Sequence, residues 1–421
     1  MKSLLFAALL SSPLCAAADA PSGRAIDMAE VYRLSLARSE HVAQSGETYQ
    51  EVLAKADELW SSVLPRISLM GTETLQQVPQ GASNLFLQGN REQGWVTAHQ
   101  PLFSGLREFL SYRASKDLGR SAQLQLERAK HLLYQDAARA YLDLLSAQDE
   151  ISIRETVVDN TEDRVKDLRE FRRLGRARAS ELLAAESQLA QNLAALETSR
   201  AREAVAQFKL GFLTGLDERL APKPIAQAAS APDLLSVLTR ARQRSDVAAR
   251  RADLEASELS IKVVSRRRWP SFGLDANYYF QRPPGFTSNV KWDATITGSL
   301  PLYAGGEISA QVRQQEAQLR SKRLALSETE RTAELEVKSA YRDLLSSAAV
   351  VAALEKAAQL AEANAKAQAE DYRLGQVTNL DVLGSLNTLQ QTRLQLDTAR
   401  LDAYWSRVRL ETAAGSPGDD R

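Results

Sequence analysis

The chain reads as mainly α with a small β part: a duplicated half-protein with four strands of membrane-crossing length and long coiled-coil helices. Three observations carry this. Short motifs recur at a fixed separation: Gln100-Pro-Leu-Phe-Ser-Gly105 returns as Leu300-Pro-Leu-Tyr-Ala-Gly305, Ala140-Tyr-Leu-Asp-Leu-Leu-Ser146 as Ala340-Tyr-Arg-Asp-Leu-Leu-Ser346, and Arg173-Leu-Gly175 as Arg373-Leu-Gly375, each pair 200 positions apart. Between Glu307 and Leu374 there is no Pro or Gly, and between Leu106 and Leu174 only Gly119. Both stretches are dominated by good helix formers. Just before each stretch lie segments of strict apolar–polar alternation, the signature of strands with two unlike faces. A repeat this long exceeds the roughly 20–50 residues of solenoid units.

The chain opens with a leader. Lys2 precedes an apolar stretch from Leu4 to Leu14, and Ala16-Ala-Ala18 supplies the small residues of a cleavage site, so 1–18 reads as a secretory signal peptide. Cys15 ends that stretch as a lipidated cysteine would, but it follows Leu14 where a small residue is expected, which argues against lipidation. Cleavage after Ala18 leaves a mature chain without cysteine. The longest later apolar run, Ala348 to Leu354, is about a third of what a membrane helix needs, so no later segment is expected to cross as a helix.

The first repeat covers 19–215, with an entry helix from about Ala25 to Leu64, a strand pair over about 65–102, a long helix over 106–174 and a return helix to about Phe212. Ile67, Leu69 and Gly71, then Val96 and Ala98, mark its strands, with Trp95 on the other face. A Pro- and Ala-rich linker follows over 216–231. The second repeat covers 232–415: a helix from Pro232 to Arg267, a strand pair over about 270–302, a long helix over 306–374 and a return helix from Gln376 to Ala413, before a tail over 416–421. Its strands alternate clearly, with Phe272, Leu274, Ala276, Tyr278 and Phe280 on one face of the first and Trp292, Ala294, Ile296, Gly298 and Leu300 on one face of the second. The upstream pair Leu64-Pro-Arg and Trp269-Pro-Ser is offset by 205, so the first copy holds about five extra residues before Pro101. Each long helix would rise roughly 100 Å at 1.5 Å per residue. In the first, Ile151, Val158 and Val165 recur at sevens with Leu168 as companion; in the second, Val350, Ala357, Asn364 and Asp371 continue that spacing.

Ten-residue strands with one apolar face suit a membrane β-barrel. Four strands do not close a barrel, and open edges are not tolerated in lipid, so that reading requires several chains. A soluble antiparallel sheet on a coiled-coil adaptor or scaffold of the periplasm is the alternative. Lys plus Arg and Asp plus Glu each number 53, so there is no basic footprint for nucleic acid. His41, His99 and His131 are scattered without metal-ligand spacing, and no nucleophile elbow or phosphate loop occurs, so neither enzyme chemistry nor a cofactor is expected.

The paired Pro-Leu-[Phe/Tyr]-x-Gly junctions at Pro101 and Pro301, the Ala-Tyr-x-Asp-Leu-Leu stretches, and the turns Phe171-Arg-Arg-Leu-Gly175 and Tyr372-Arg-Leu-Gly375-Gln-Val-Thr-Asn-Leu-Asp-Val-Leu383 together resemble the TolC family of outer-membrane efflux proteins. The resemblance covers the mature chain. It implies a homotrimer whose strands form one barrel in outer-membrane lipid, continued by a periplasmic α-helical barrel, with 216–231 in its equatorial region. It implies a passive duct of an efflux or type I secretion system, fed by an inner-membrane transporter of the RND or ABC type through a periplasmic adaptor (membrane fusion) protein. The adaptor would dock at the exposed turns, on Arg173, Leu174, Gly175, Arg373, Leu374 and Gly375. Asp381, six residues after the second glycine, would face the lumen at its narrowest point, with Glu181 its counterpart and Tyr372 a latch partner. Thr378-x-x-Asp381 has a plainer reading as a helix cap. Two departures stand out: Gly384 replaces a second acid, and Val377 replaces an arginine of the closing network.

Overall fold

The structure, a computed structural model, describes residues 23–77, 89–175, 177–225 and 231–415. The signal peptide with Cys15, and the tail over 416–421, lie outside them. In chain order the elements are β1 (Arg24–Ile26), α1 (Met28–Arg38), α2 (Glu40–Ser61), β2 (Arg66–Leu75), β3 (Asn90–Phe103), α3 (Arg107–Arg173), α4 (Ala179–Thr214), β4 (Leu220–Pro222), α5 (Leu234–Ala241), α6 (Ser245–Ser265), β5 (Ser271–Gln281), β6 (Trp292–Ser299), α7 (Glu307–Arg373) and α8 (Asn379–Ala414). Both α3 and α7 have 67 residues, and both α4 and α8 have 36. Two compact units result: one gathers the described residues within Met1–Arg38, Ala137–Gln227 and Ala353–Leu401, the other those within Ser39–Asp136, Ala228–Ala352 and Asp402–Arg421.

The second of these units holds the antiparallel sheet, in the order β2-β3-β5-β6. Its register turns the sequence alternation into rows. Leu69, Val96, Tyr278 and Trp292 pair across the four strands, as do Ile67, Ala98, Ala276 and Ala294, giving one apolar face. One residue along, Ser68, Thr97, Asn277 and Asp293 form a polar row, and Arg66, His99, Asp275 and Thr295 another. Trp95 and Tyr279 share this polar face, as the alternation predicts for Trp95. The apolar face is uncovered: Ile67 and Leu69 are each 73% exposed. Two aromatic rings on it lie over glycines of adjacent strands, Phe280 over Gly94 and Phe272 over Gly298, where a Cβ would collide with the ring. β3 is longer than its two-residue apolar signal suggested, running 14 residues.

Two helices expected to be continuous are broken. The entry helix is split at Ser39, whose side chain accepts from the Val42 amide and so starts α2 afresh. The helix expected from Pro232 to Arg267 is α5 and α6, separated at Arg242–Arg244, with a 3-10 turn over Arg266–Arg268. The two breaks share the pattern Arg38-Ser-Glu40 and Arg244-Ser-Asp246. Around Arg244 the unit buries charge. The Arg244 side chain, 2% exposed, binds Asp246 at 2.8 Å and Glu336 at 2.5 Å and donates to the Ala413 carbonyl at 3.2 Å. Arg128 donates to the Thr412 carbonyl, so two arginines satisfy carbonyls at the end of α8. An apolar cluster of Val237, Ala241, Val337, Ala340, Leu344, Leu410, Ala413 and Ala414 holds α5, α7 and α8 together.

In the other unit, the linker contains an element that its prolines hid. β4 pairs in parallel with β1, Arg24 opposite Leu220 and Ile26 opposite Pro222. Pro222 ends its strand, where a missing amide is tolerated. Tyr141, 1% exposed, donates its hydroxyl to the carbonyls of Lys223 (2.7 Å) and Ile26 (3.3 Å), joining α3 to both strands. The expected seam of α3 is present: Val158, Val165 and Leu168 are buried, with Leu182 and Ala185 of α4 packed on the last two. The seam expected in α7 is off by one residue. Ala365 is buried with Ala358, Ala361, Gln368 and Tyr372 partly buried beside it, whereas Ala357 and Asn364 are exposed. Alanine on several faces gave the α7 pattern no phase. Matching ion pairs join the hairpins, Arg200 to Glu155 at 3.2 Å and Arg400 to Glu355 at 2.9 Å.

One further expectation needs correcting. An 18-residue window of α7 has mean hydropathy 1.3 and is, by length and composition, apolar enough to cross a membrane. The expectation counted uninterrupted apolar residues, and this window keeps no more than two charges among its alanines. Only 6% of it is buried within the chain.

Candidate functional site

Both helix turns of the first unit are closed by the same backbone device. At the end of α3 the Leu174 amide donates to Glu170 O and the Gly175 amide to Arg172 O, each at 3.0 Å; at the end of α7 the Leu374 amide donates to Glu370 O and the Gly375 amide to Tyr372 O. Gly175 and Gly375 have φ of 71° and 74°, the left-handed region that ends helices and favours glycine. A Cβ at either would meet nothing within 4 Å, so conformation and not space selects glycine there. Leu174 and Leu374 are 59% and 64% exposed. Arg173 and Arg373 each reach back to the glutamate three residues earlier, Glu170 and Glu370. The structure thus presents two chemically alike, open Arg-Leu-Gly turns.

The returning helices begin differently. Ahead of α8, the Thr378 amide and hydroxyl both donate to Asp381 Oδ2, at 2.8 and 2.6 Å, and the Asp381 amide points back at the Thr378 hydroxyl at 3.4 Å. This reciprocal box satisfies amides that a helix start leaves orphaned. The Thr378 hydroxyl, with its amide, holds the Asp381 carboxyl below the usual carboxylate range, so it stays ionised. At α4 the equivalent residue is Arg178, which makes no side-chain cap, and Glu181 is half-buried in the first turn.

Arg164 of α3, which sequence reasoning passed over, brings the second hairpin's turn onto the first. Its guanidinium lies over the Tyr372 ring, 4.1 Å from the centroid, and its Nε donates to Asn379 Oδ1 at 2.6 Å. Asn379, the first residue of α8, is 2% exposed. Tyr372 is therefore gripped by Arg164 within the chain. Nothing marks Arg164 among the many arginines of the helices except its place beside the seam residue Val165.

The family model described as outer membrane efflux protein matches residues 237–416. The outer membrane efflux protein BepC of Brucella suis is 22% identical over 324 residues, 76% of this chain and 71% of that protein. TolC of Escherichia coli is 26% identical over 121 residues, 29% of this chain and 24% of its own. In sequence the chain is thus similar to outer-membrane efflux proteins of the TolC family, most densely over its second half. Solved structures agree in fold. The CusC structure has a TM-score of 0.84 at 16% identity, covering 92% of each chain, and the outer membrane protein VceC of Vibrio cholerae 0.80 at 16%, covering 92% of this chain and 96% of that one. Position 377 is Val, and Arg164 is the cation that Tyr372 meets.

Proposed function

We propose that the protein is the outer-membrane channel of a tripartite efflux or type I secretion system: a passive homotrimeric duct, built from duplicated halves, that carries substrates from an inner-membrane transporter and a periplasmic adaptor to the exterior. Its location is the outer membrane, with a large periplasmic portion. One observation carries the trimer. The four-stranded sheet ends in two edges, β2 and β6, and bears an uncovered apolar face. In lipid, unpaired edge amides and carbonyls cost several kcal/mol each, and a closed ring removes them. Copies of this chain close such a ring by laying β6 of one on β2 of the next, and three copies supply twelve strands. Crosslinking or native mass measurement in mild detergent is expected to give three chains; a stable folded monomer would refute the barrel.

The open turns around Gly175 and Gly375 suit a partner that meets both, so Arg173, Leu174, Arg373 and Leu374 are assigned to adaptor docking. Replacing both glycines by bulky β-branched residues should abolish efflux and leave trimers in the outer membrane. Asp381, ionised, would form a ring of three carboxylates at the periplasmic constriction, with Tyr372 and Glu181 near it. Like charges in a narrow passage attract cations. Single-channel conductance of wild type and Asp381→Asn in planar bilayers checks this: the variant should lose cation selectivity, and identical selectivity would leave Asp381 as the cap alone.

A further inference from the structure

The rim where the helices leave the sheet carries a cluster of arginines that the duct reading does not use. Ser271 pairs with Ser299 and Phe103 with Phe272, so Arg266–Trp269, Ser104–Gly105 and Leu300–Tyr303 all lie at that rim. Arg266, Arg267 and Arg268 form the 3-10 turn that ends α6. Arg267 is neutralised by Glu307 at 3.2 Å and also meets Gln311. The other two bind only neutral groups: Arg266 donates to Gly105 O at 3.2 Å and stands over the Trp269 ring, and Arg268 donates to Ser309 Oγ at 3.0 Å. Trp269 is 54% exposed and Tyr303 89%, so large aromatic surface lies open at the border of the sheet. Gly105 is required here, since a Cβ would sit 3.0 Å from Trp269 Cβ at a φ of 72°.

Indole rings settle at the boundary between hydrocarbon and headgroups, and guanidinium forks match phosphate oxygens. We infer that Arg266 and Arg268, with Trp269, form a binding site for an anionic glycerophospholipid headgroup in the membrane leaflet on the helix side of the sheet. The acyl chains would lie along the apolar face below Trp269 and the phosphate against the two unpaired guanidiniums. At the opposite rim, among the described residues, Arg91, Arg282 and Lys291 are offset in number by Glu73, Glu92 and Asp293, with Arg282 bound to Asp293 at 3.1 Å, so the surplus of positive charge is one-sided.

The inference rests on the reading that the apolar face meets lipid, and the experiment separates the two. The full chain is reconstituted in vesicles of equal phosphatidylglycerol and phosphatidylcholine, released into mild detergent, and weighed with its retained lipids by native mass spectrometry. Wild type should retain phosphatidylglycerol over phosphatidylcholine by about twenty-five-fold, since each of the two arginines near a surface contributes about a five-fold factor. R266Q/R268Q should fall to near parity as an intact trimer, and R266K/R268K should keep most of the preference. No preference in wild type, or the same preference in the glutamine variant, overturns the site. Loss of bound lipid on adding millimolar inorganic phosphate would also overturn it, as the mark of a simple anion site. A chain that fails to insert into these vesicles sinks the barrel reading and this inference with it.

Discussion

Arg38 and Arg244 stand at equivalent helix breaks, each followed by Ser and an acid, and each lies against the glycine that closes a 36-residue helix: Arg38 against Gly215 after α4, Arg244 against Gly415 after α8. Yet Arg38 is exposed and Arg244 is 2% exposed inside a four-charge cluster with Arg128, Asp246 and Glu336. The same sequence device is therefore a surface contact in one copy and a buried clamp in the other. The partners decide which. Burial makes a charge costly unless its hydrogen bonds are complete, and Arg244 completes its set with two carboxylates and a carbonyl.

The sharpest way to break this contrast is to delete each arginine. Arg244→Ala leaves Asp246 and Glu336 beside Arg128 with a wrong balance of partners and should cost about 3–5 kcal/mol. Arg38→Ala should change stability by about 0.5 kcal/mol or less. Urea unfolding followed by helical circular dichroism reads both, and equal effects would dissolve the distinction. Acid sharpens it: despite the cost of burial, the bonds and charge of Arg244 hold the Asp246 carboxyl below its ordinary range. A carboxyl depressed in the folded state contributes stability above its unfolded pKa, and that contribution is lost as pH falls through the folded one. Wild type should lose stability on acidification below the ordinary carboxylate range, and Asp246→Asn should flatten that limb.

A second pair tests the same lesson on a smaller scale. Tyr141 and Tyr341 occupy the same place in the repeated motif, but only Tyr141 is fully buried with its hydroxyl on two carbonyls. Tyr141→Phe should cost about 1–3 kcal/mol because it leaves those carbonyls short of a donor, and Tyr341→Phe a few tenths. The smallest effect belongs to the caps: Thr378→Ala should cost about 1 kcal/mol and Arg178→Ala next to nothing, since only Thr378 closes a box. Both pairs are read by the same urea titration.

Long-period features were legible beforehand. The ends of α3 and α7 fall within a residue or so of the Pro-free stretches that hold at most one Gly, and the strand faces follow from simple alternation. The phase of the α7 seam was not, because Ala357 and Ala358 look alike while only the latter turns inward. The helix breaks left a signal, the repeated Arg-Ser-acid, but it is short and lies among many similar charges. β4 was hidden by Pro222 and Pro224, which read as linker. Its partner β1 is only three residues long and lies far off in the chain. A difference between the motif copies, Leu142 against Arg342, did record which helix face is covered: Leu142 is 3% exposed and position 342 is open. At the turns, Gly175, Gly375 and the Thr378 box follow from backbone chemistry, whereas the grip of Arg164 on Tyr372 depends on two helices meeting and has no local sign.

The parallel pairing of β1 with β4 also bears on the order in which the molecule is assembled. Arg24–Ile26 emerges from the ribosome early and finds its partner strand, Leu220–Pro222, only when nearly two hundred further residues have been made. Contacts this distant in the chain form late and slowly. Until then the Tyr141 hydroxyl lacks the nearer of its two acceptors, the Lys223 carbonyl just after β4. Closure of this ladder therefore acts as a timer: the two short strands and the Tyr141 hydroxyl come together only once the first copy is complete and the chain has turned toward the second.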